Sequence, residues 1–159
     1  MPGVVESYIH TGNQIGVLVQ LNCQSKITAK TAEFKTLATE IALQIAASPE
    51  VRYIRAEDIS NNVVRQLELA ARGDRNLLAQ YLQALNLYEQ FYLRDRSITI
   101  EDLIKLNITK LGEKIMVKRF QRFAVEEDLP SDPTGGVSLN PLPNSPSPLT
   151  GEAETKIDF

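Results

Sequence analysis

The alternation of Ile15, Val17, Val19, Leu21 and Cys23 constrains this chain more than any other pattern in it. Side chains two apart in an extended strand share a face, so these apolar groups require a strand covered on one side, with Gln20 and Asn22 on the other. Upstream, residues 4–10 form a second β-rich run. The intervening Thr11-Gly12-Asn13-Gln14 puts a Gly-Asn pair where a tight hairpin needs positive φ. An antiparallel hairpin therefore opens the chain, and its apolar face needs a helix.

The spacing predicts that helix over 25–47, where Ile27, Phe34, Ala38, Ile41 and Ile45 recur at helical intervals, flanked by Leu37 and Ala42. Ser25 or Thr28 is placed to cap its start, and Ser48-Pro49 stops it. By angle Ile27 falls on the same face as Phe34, Ile41 and Ile45, so it reads as a core side chain as readily as an exposed tip. Residues 51–55 read as an extended link. A second helical region follows Ala56-Glu57-Asp58, with Val63, Val64, Leu67, Ala70 and Ala71 apolar, and Gly73-Asp74 breaks it.

A third helix is expected over 76–91, with Leu77, Leu78, Tyr81, Leu82, Leu85 and Tyr88 on one packing face. Ser97 or Thr99 then caps a fourth helix carrying Leu103, Ile104, Leu106, Ile108 and Leu111 to a stop at Gly112. Residues 114–125 read as a final strand whose apolar phase slips near Arg119 and Phe120. That slip predicts a bulge or cover on both faces. The expected fold class is α+β: a three-stranded antiparallel sheet, hairpin plus C-terminal strand, packed against several helices.

With 159 residues and 17.7 kDa, one domain over 3–125 and an appendage account for the length. Six of the eight prolines fall between Pro130 and Pro148, so 126–159 is expected to be a disordered Pro/Ser-rich tail. A net charge of -3 argues against a general attraction to nucleic acid or anionic membrane. The single cysteine forms no internal disulfide, no signal segment follows Met1, and no apolar run approaches bilayer length. A cytoplasmic protein is expected, or a stromal one if the gene is plastid encoded, with no membrane contact.

The residues offer little for catalysis. His10 is the only histidine, which rules out a multi-histidine metal site, and at a strand end it reads as a surface residue. Cys23 lies on the apolar face, where a thiol is inert. The neighbouring acids Glu57-Asp58, Glu101-Asp102 and Glu126-Glu127 read as solvated capping groups, and no phosphate-binding glycine loop or nucleophile elbow is present. No enzymatic activity, cofactor or metal is therefore expected. Lys114, Lys118, Arg119 and Arg122 interleave with Phe120 and Phe123 either as a nucleic-acid platform or, the preferred reading, as a sheet edge guarded by charge.

Two blocks carry a family resemblance. Residues 4–12, 15–19 and Asn22-Cys23, continued by Ala29-Lys30, Glu33-Phe34-Lys35, Leu37-Ala38 and residues 41–47, resemble the core domain of translation elongation factor Ts, above all its cyanobacterial and plastid members. Residues 94–103, Leu111-Gly112-Glu113-Lys114-Ile115, Arg119-Phe120 and Arg122-Phe123 resemble the C-terminal part of that core. The resemblance implies a protein that binds the GTPase elongation factor Tu and promotes GDP release. It also leaves a homodimer open. It implies further that residues 23–30 (Cys23, Gln24, Ser25, Lys26, Ile27, Thr28, Ala29 and Lys30) form the partner-binding corner, with Val17 beside it.

Three departures qualify this. The resemblance begins at Gly3, so the family's N-terminal ubiquitin-associated-like domain has no counterpart. The family corner presents an Asp-Phe wedge, and here Lys26 and Ile27 occupy those positions. The Gly-Lys-Pro and Glu-Gly-Arg signatures of the family's middle segment, which the resemblance ties to dimerisation and a second contact with the GTPase, are missing from residues 76–92. Weakened or lost exchange activity is the expectation; the alternative is a repurposed interaction or assembly subunit with a different protein partner.

Overall fold

A computed structural model describes residues 1–125, and the tail expected over 126–159 lies outside them. The opening hairpin consists of β1 (Gly3–Ile9) and β2 (Ile15–Asn22), paired antiparallel. At its turn Gly12 and Asn13 adopt φ of 93° and 58°, the left-handed conformation that a Gly-Asn pair tolerates. The last strand, β5 (Met116–Ala124), pairs antiparallel with β2 to complete a sheet of order β1-β2-β5. Its register shifts between Gln20, opposite Arg119, and Leu21, opposite Val117. Lys118 is thus the extra residue of the expected bulge.

The inner face of the sheet buries Val17, Val19, Leu21 and Val117 against α2 (Ala32–Ala46), whose Phe34, Ala38, Ile41 and Ile45 are fully buried. Asn22, expected on the open face, is also buried, where its Oδ1 accepts from Gln20 Nε2 at 3.0 Å. Its carbonyl neighbour Leu21 lies so near Gly3 that a Cβ there would meet the Leu21 oxygen at 2.3 Å. Only glycine fits that close approach.

The single helix expected over 25–47 is two helices. A short α1 (Lys26–Ala29) ends at Lys30, and Thr31 then caps α2 by accepting from Phe34 N at 3.2 Å while its hydroxyl donates to the Thr28 carbonyl at 2.8 Å. The break removes Ile27 from the face that carries Phe34, and the side chain is 81% exposed. Periodicity misled here because the hydroxyl at position 31 competes for the backbone groups that a continuous helix would pair.

Downstream, α3 (Asn61–Ala71) and α4 (Arg75–Leu85) form a helical hairpin around their own small core of Ile59, Val63, Leu67, Ala71, Tyr81 and Leu85. Between them Arg72 and Gly73 take left-handed conformations. The hairpin joins the main body through a parallel bridge of Tyr53 with Asn86, with Leu87 N donating to the Tyr53 carbonyl at 2.9 Å.

The helix expected over 76–91 stops at Leu85 because the Asn86 side chain turns the chain, accepting from Glu89 N at 3.0 Å and donating to the Leu82 carbonyl at 3.1 Å. Tyr88 consequently leaves the helix face and enters the main core, where its hydroxyl accepts from Val117 N at 3.3 Å. A two-strand ribbon that the sequence pattern did not reveal follows, β3 (Phe91–Tyr92) with β4 (Asp95–Thr99). Gln44 on α2 holds it by donating to the Phe91 carbonyl and accepting from Leu93 N, both at 3.0 Å.

Thr99 then starts α5 (Ile100–Leu111) with a capping box to Asp102, and Gly112 closes it at φ 72°. Leu106, expected on the apolar side of α5, is 58% exposed, since only Ile100 and Ile104 reach the core fully.

Removing the second cap by Thr31→Ala is expected to cost about 0.5–2 kcal/mol. By contrast Phe34→Ala should cost about 3–5 kcal/mol, and Ile27→Ala should stay within about 0.5 kcal/mol. Urea denaturation of the three variants checks this order, and an Ile27→Ala loss as large as that of Phe34→Ala would contradict the break.

Candidate functional site

The corner between β2 and α2 is built around one carboxylate from the opposite end of the domain. Glu113, just past the glycine that ends α5, accepts from Gln24 N at 3.1 Å and Ser25 N at 3.0 Å through Oε2. Its Oε1 accepts from the Ser25 hydroxyl at 2.5 Å and the Thr28 hydroxyl at 2.8 Å. Ser25 Oγ in turn accepts from Thr28 N at 3.1 Å and caps α1. The Gln24 side chain returns the connection by accepting from Lys114 N at 3.2 Å. Two segments some 88 residues apart are locked together by these bonds.

The hydroxyl of Ser25, then that of Thr28, hold the Glu113 carboxyl below its ordinary range by stabilising the anion. Cys23 below the corner is fully buried, and burial pushes its thiol up, so it stays protonated while donating to the Ser25 carbonyl at 3.2 Å. The cysteine therefore supports the corner and offers no nucleophile.

Of the residues expected at the corner, Cys23, Thr28 and Ala29 are buried, as is Val17 beside them. Gln24, Lys26, Ile27 and Lys30 are exposed, and Ser25 is half-buried under Glu113. The surface at this site is thus a lysine and an isoleucine raised on one short helical turn. Glu113 is the residue that sequence reading did not assign to the corner. Its only local signal is an acid immediately after a glycine helix stop, which carries no information about a contact so far away along the chain.

The other candidates separate from this site. His10 is exposed at the hairpin end, with Nδ1 3.0 Å from the Tyr8 hydroxyl. On β5, Arg122 donates to the Ala46 carbonyl at the end of α2 at 3.0 Å, a favourable place for a cation, and Phe120 packs against the core. Arg119 Nε donates to Gln20 Oε1 at 2.8 Å. The aromatic and basic residues of this strand are therefore divided between core packing and an exposed edge. Among the described residues, no three His, Cys, Asp or Glu side chains group as a metal site, and no helix is long and apolar enough to cross a membrane.

The sequence model for the family Elongation factor TS matches residues 1–77. The chloroplastic elongation factor Ts of Guillardia theta is 42% identical over 142 residues, covering 80% of this chain and 65% of that protein. Elongation factor Ts of a Picosynechococcus strain is 41% identical over 142 residues with the same coverage. The chloroplastic elongation factor Ts of Pyropia yezoensis is 40% identical over 145 residues, covering 80% of this chain and 66% of its own length. The chain spans just under two thirds of the length of these relatives.

The low-lying Glu113 carboxyl sets a pH dependence. Because the folded group titrates below its ordinary value of 4.5, the stability it contributes is complete above pH 4.5 and is lost as pH falls through the folded value. Glu113→Gln is expected to lower Tm at neutral pH, with the gap from wild type narrowing below pH 4.5. Thermal melts across pH 3 to 7 measure it, and a gap that widens on acidification would refute the role given to Glu113.

Proposed function

The chain belongs to the elongation factor Ts family, and from that premise we propose that it binds elongation factor Tu through the Lys26-Ile27 corner, with weakened or lost ability to release GDP. The observation that carries this reading is the 81% exposure of Ile27 on a turn that Glu113 holds in place. Such a turn presents two side chains to a partner without having to order itself on binding, which lowers the entropic cost of association.

Exchange demands more than contact. A binding protein weakens nucleotide affinity only by the factor with which it prefers the nucleotide-free GTPase, because the coupling is reciprocal. Lys26 and Ile27 stand where the family resemblance places an acid and an aromatic ring, so they lack the charge and the flat ring of that wedge. A mismatched charge at a desolvated contact costs several kcal/mol, and each ~1.4 kcal/mol is tenfold in affinity. The domain over 3–125 is the binding unit in this reading, with 126–159 as an appended tail, and nothing in it requires bond-making chemistry, a cofactor or a metal. A compartment holding translation factors, cytoplasm or plastid stroma, is where it operates.

A second reading is favoured by the outer face of the sheet, where Val5 is 67% and Ile9 60% exposed beside the half-exposed Leu18. An apolar face of this kind suits a non-exchange interaction or assembly subunit, and a homodimer is its simplest version. Pull-down from native lysate separates the readings: recovery of elongation factor Tu supports the first, and a different stoichiometric partner the second.

The direct test is release of labelled GDP from elongation factor Tu. The wild-type chain is expected to accelerate release no more than a few-fold above the spontaneous rate, while still binding. Acceleration of a hundredfold or more, about 2.7 kcal/mol off the release barrier, would sink the claim of weakened exchange.

A further inference from the structure

The outer face of the sheet carries an apolar strip that stays in water among the described residues. Val5 stands opposite Gln20, Ser7 opposite Leu18 and Ile9 opposite Gly16, so Leu18 lies diagonally between the exposed Val5 and Ile9. A Cβ at Gly16 would come within 3.0 Å of Ile9 Cδ1, so Ile9 leans across the glycine. From Val5 to Ile9 the strip runs about 14 Å, four residues at about 3.4 Å each.

The chain leaves β5 beside this strip. Val125 N donates to the Gln14 carbonyl at 2.9 Å, which places the start of 126–159 next to the hairpin turn, at the Ile9 end of the sheet. Twelve residues beyond Val125 begins the run Val137-Ser138-Leu139-Asn140-Pro141-Leu142. Twelve extended residues reach about 40 Å, well past the far end of the strip. Pro141 and Pro143 disfavour helical backbone at the residues before them. In an extended form the five steps from Val137 to Leu142 cover about 16 Å, which matches the length of the strip.

Charge favours the same pairing. Seven of the twenty acids and one of the seventeen bases fall within 126–159, so that segment carries -6 and residues 1–125 carry +3. The exposed Lys118 and Arg119 border the strip on β5, with Arg119 opposite Gln20. The sheet of a second copy would instead bring like charge to like. Tethering also gives the segment an effective concentration of about millimolar at the face, so a contact too weak to hold a separate molecule suffices.

We propose that residues 137–142 fold back on their own domain and cover the outer face in cis, laying Val137, Leu139 and Leu142 along Ile9, Leu18 and Val5. A partner of that face then has to displace the segment first. The proposal concerns the face that the second reading above gives to a partner, and it is independent of whether the corner meets elongation factor Tu.

The test uses the full chain with a nitroxide on Ser138→Cys. Cys23 is fully buried, which leaves the new thiol as the reactive one, and wild type treated with the same reagent is the control. The label broadens amide signals near it. Those of Ser7 and Leu18 are expected to lose at least half their intensity, while those of Val63 and Leu67 in the separate α3–α4 core keep theirs. Adding Leu139→Asp should lower the docked-to-free ratio roughly tenfold to a hundredfold, the factor that burying one leucine contributes, and restore the signals. Leu18→Asp should act alike from the sheet side, with thermal melts checking its fold. Leu139→Asp alters no residue of the domain, so that arm stands by itself.

Full intensity at Ser7 and Leu18 in the labelled chain overturns the proposal, as does broadening that survives Leu139→Asp. A mixture of labelled chain with unlabelled, isotope-enriched chain is expected to show no broadening. Broadening in the mixture equal to that within the labelled chain would assign the face to a second copy and overturn the cis contact. Recovery of elongation factor Tu in the pull-down bears on the GTPase reading alone, so the two fail separately.

Discussion

The structure depends on burying one face of its hairpin. Val17, Val19 and Leu21 are removed from water by Phe34, Ile41 and Ile45, and a fully buried side chain of this size contributes about 1.5–3 kcal/mol. Everything else about the corner follows from the geometry this imposes. β2 ends in the plane of the sheet while α2 lies across its face, so the chain between Cys23 and Thr31 has to climb out of the plane and turn. The short α1 makes that climb, and its outer surface is left facing water.

A turn in that position would be a poor binding element if it were loose. The Glu113 carboxylate prevents this by accepting from two backbone amides and two hydroxyls of the corner, so the last turn before β5 acts as a buttress for the first turn after β2. Charge-assisted bonds to one anion are stronger than neutral ones, so these four donors hold the turn firmly.

The helical hairpin of α3 and α4 stands apart from this system. It has its own core and meets the main body chiefly through the Tyr53 and Asn86 bridge, so changes within it are only weakly coupled to the corner. The β3–β4 ribbon, in contrast, is tied to α2 by Gln44 and by Glu40, which accepts from the Tyr92 hydroxyl at 2.8 Å and pairs with Arg94 at 2.6 Å. Burial, reinforced by that carboxylate, pushes the Tyr92 phenol up to about 12, so the proton it donates stays in place across the physiological range.

By itself the sequence determined the features that rest on local periodicity and local backbone chemistry. The two-residue alternation of β2, the Gly-Asn turn, the buried stripe of α2 after Phe34, the Thr99 cap, the Gly112 stop and the phase slip in β5 are all set by near neighbours in the chain. The exposed Ile27 was not legible, because its angular phase matches Phe34 and only the Thr31 side chain breaks the helix between them. Tyr88 was misplaced for a similar reason, since the Asn86 side chain ends α4 before the apolar pattern runs out. Tertiary structure alone decided that Glu113 meets Ser25 and Thr28 and that Gln44 holds a two-strand ribbon. These are bonds between segments tens of residues apart, and their formation depends on how the sheet closes, which no short-range pattern encodes.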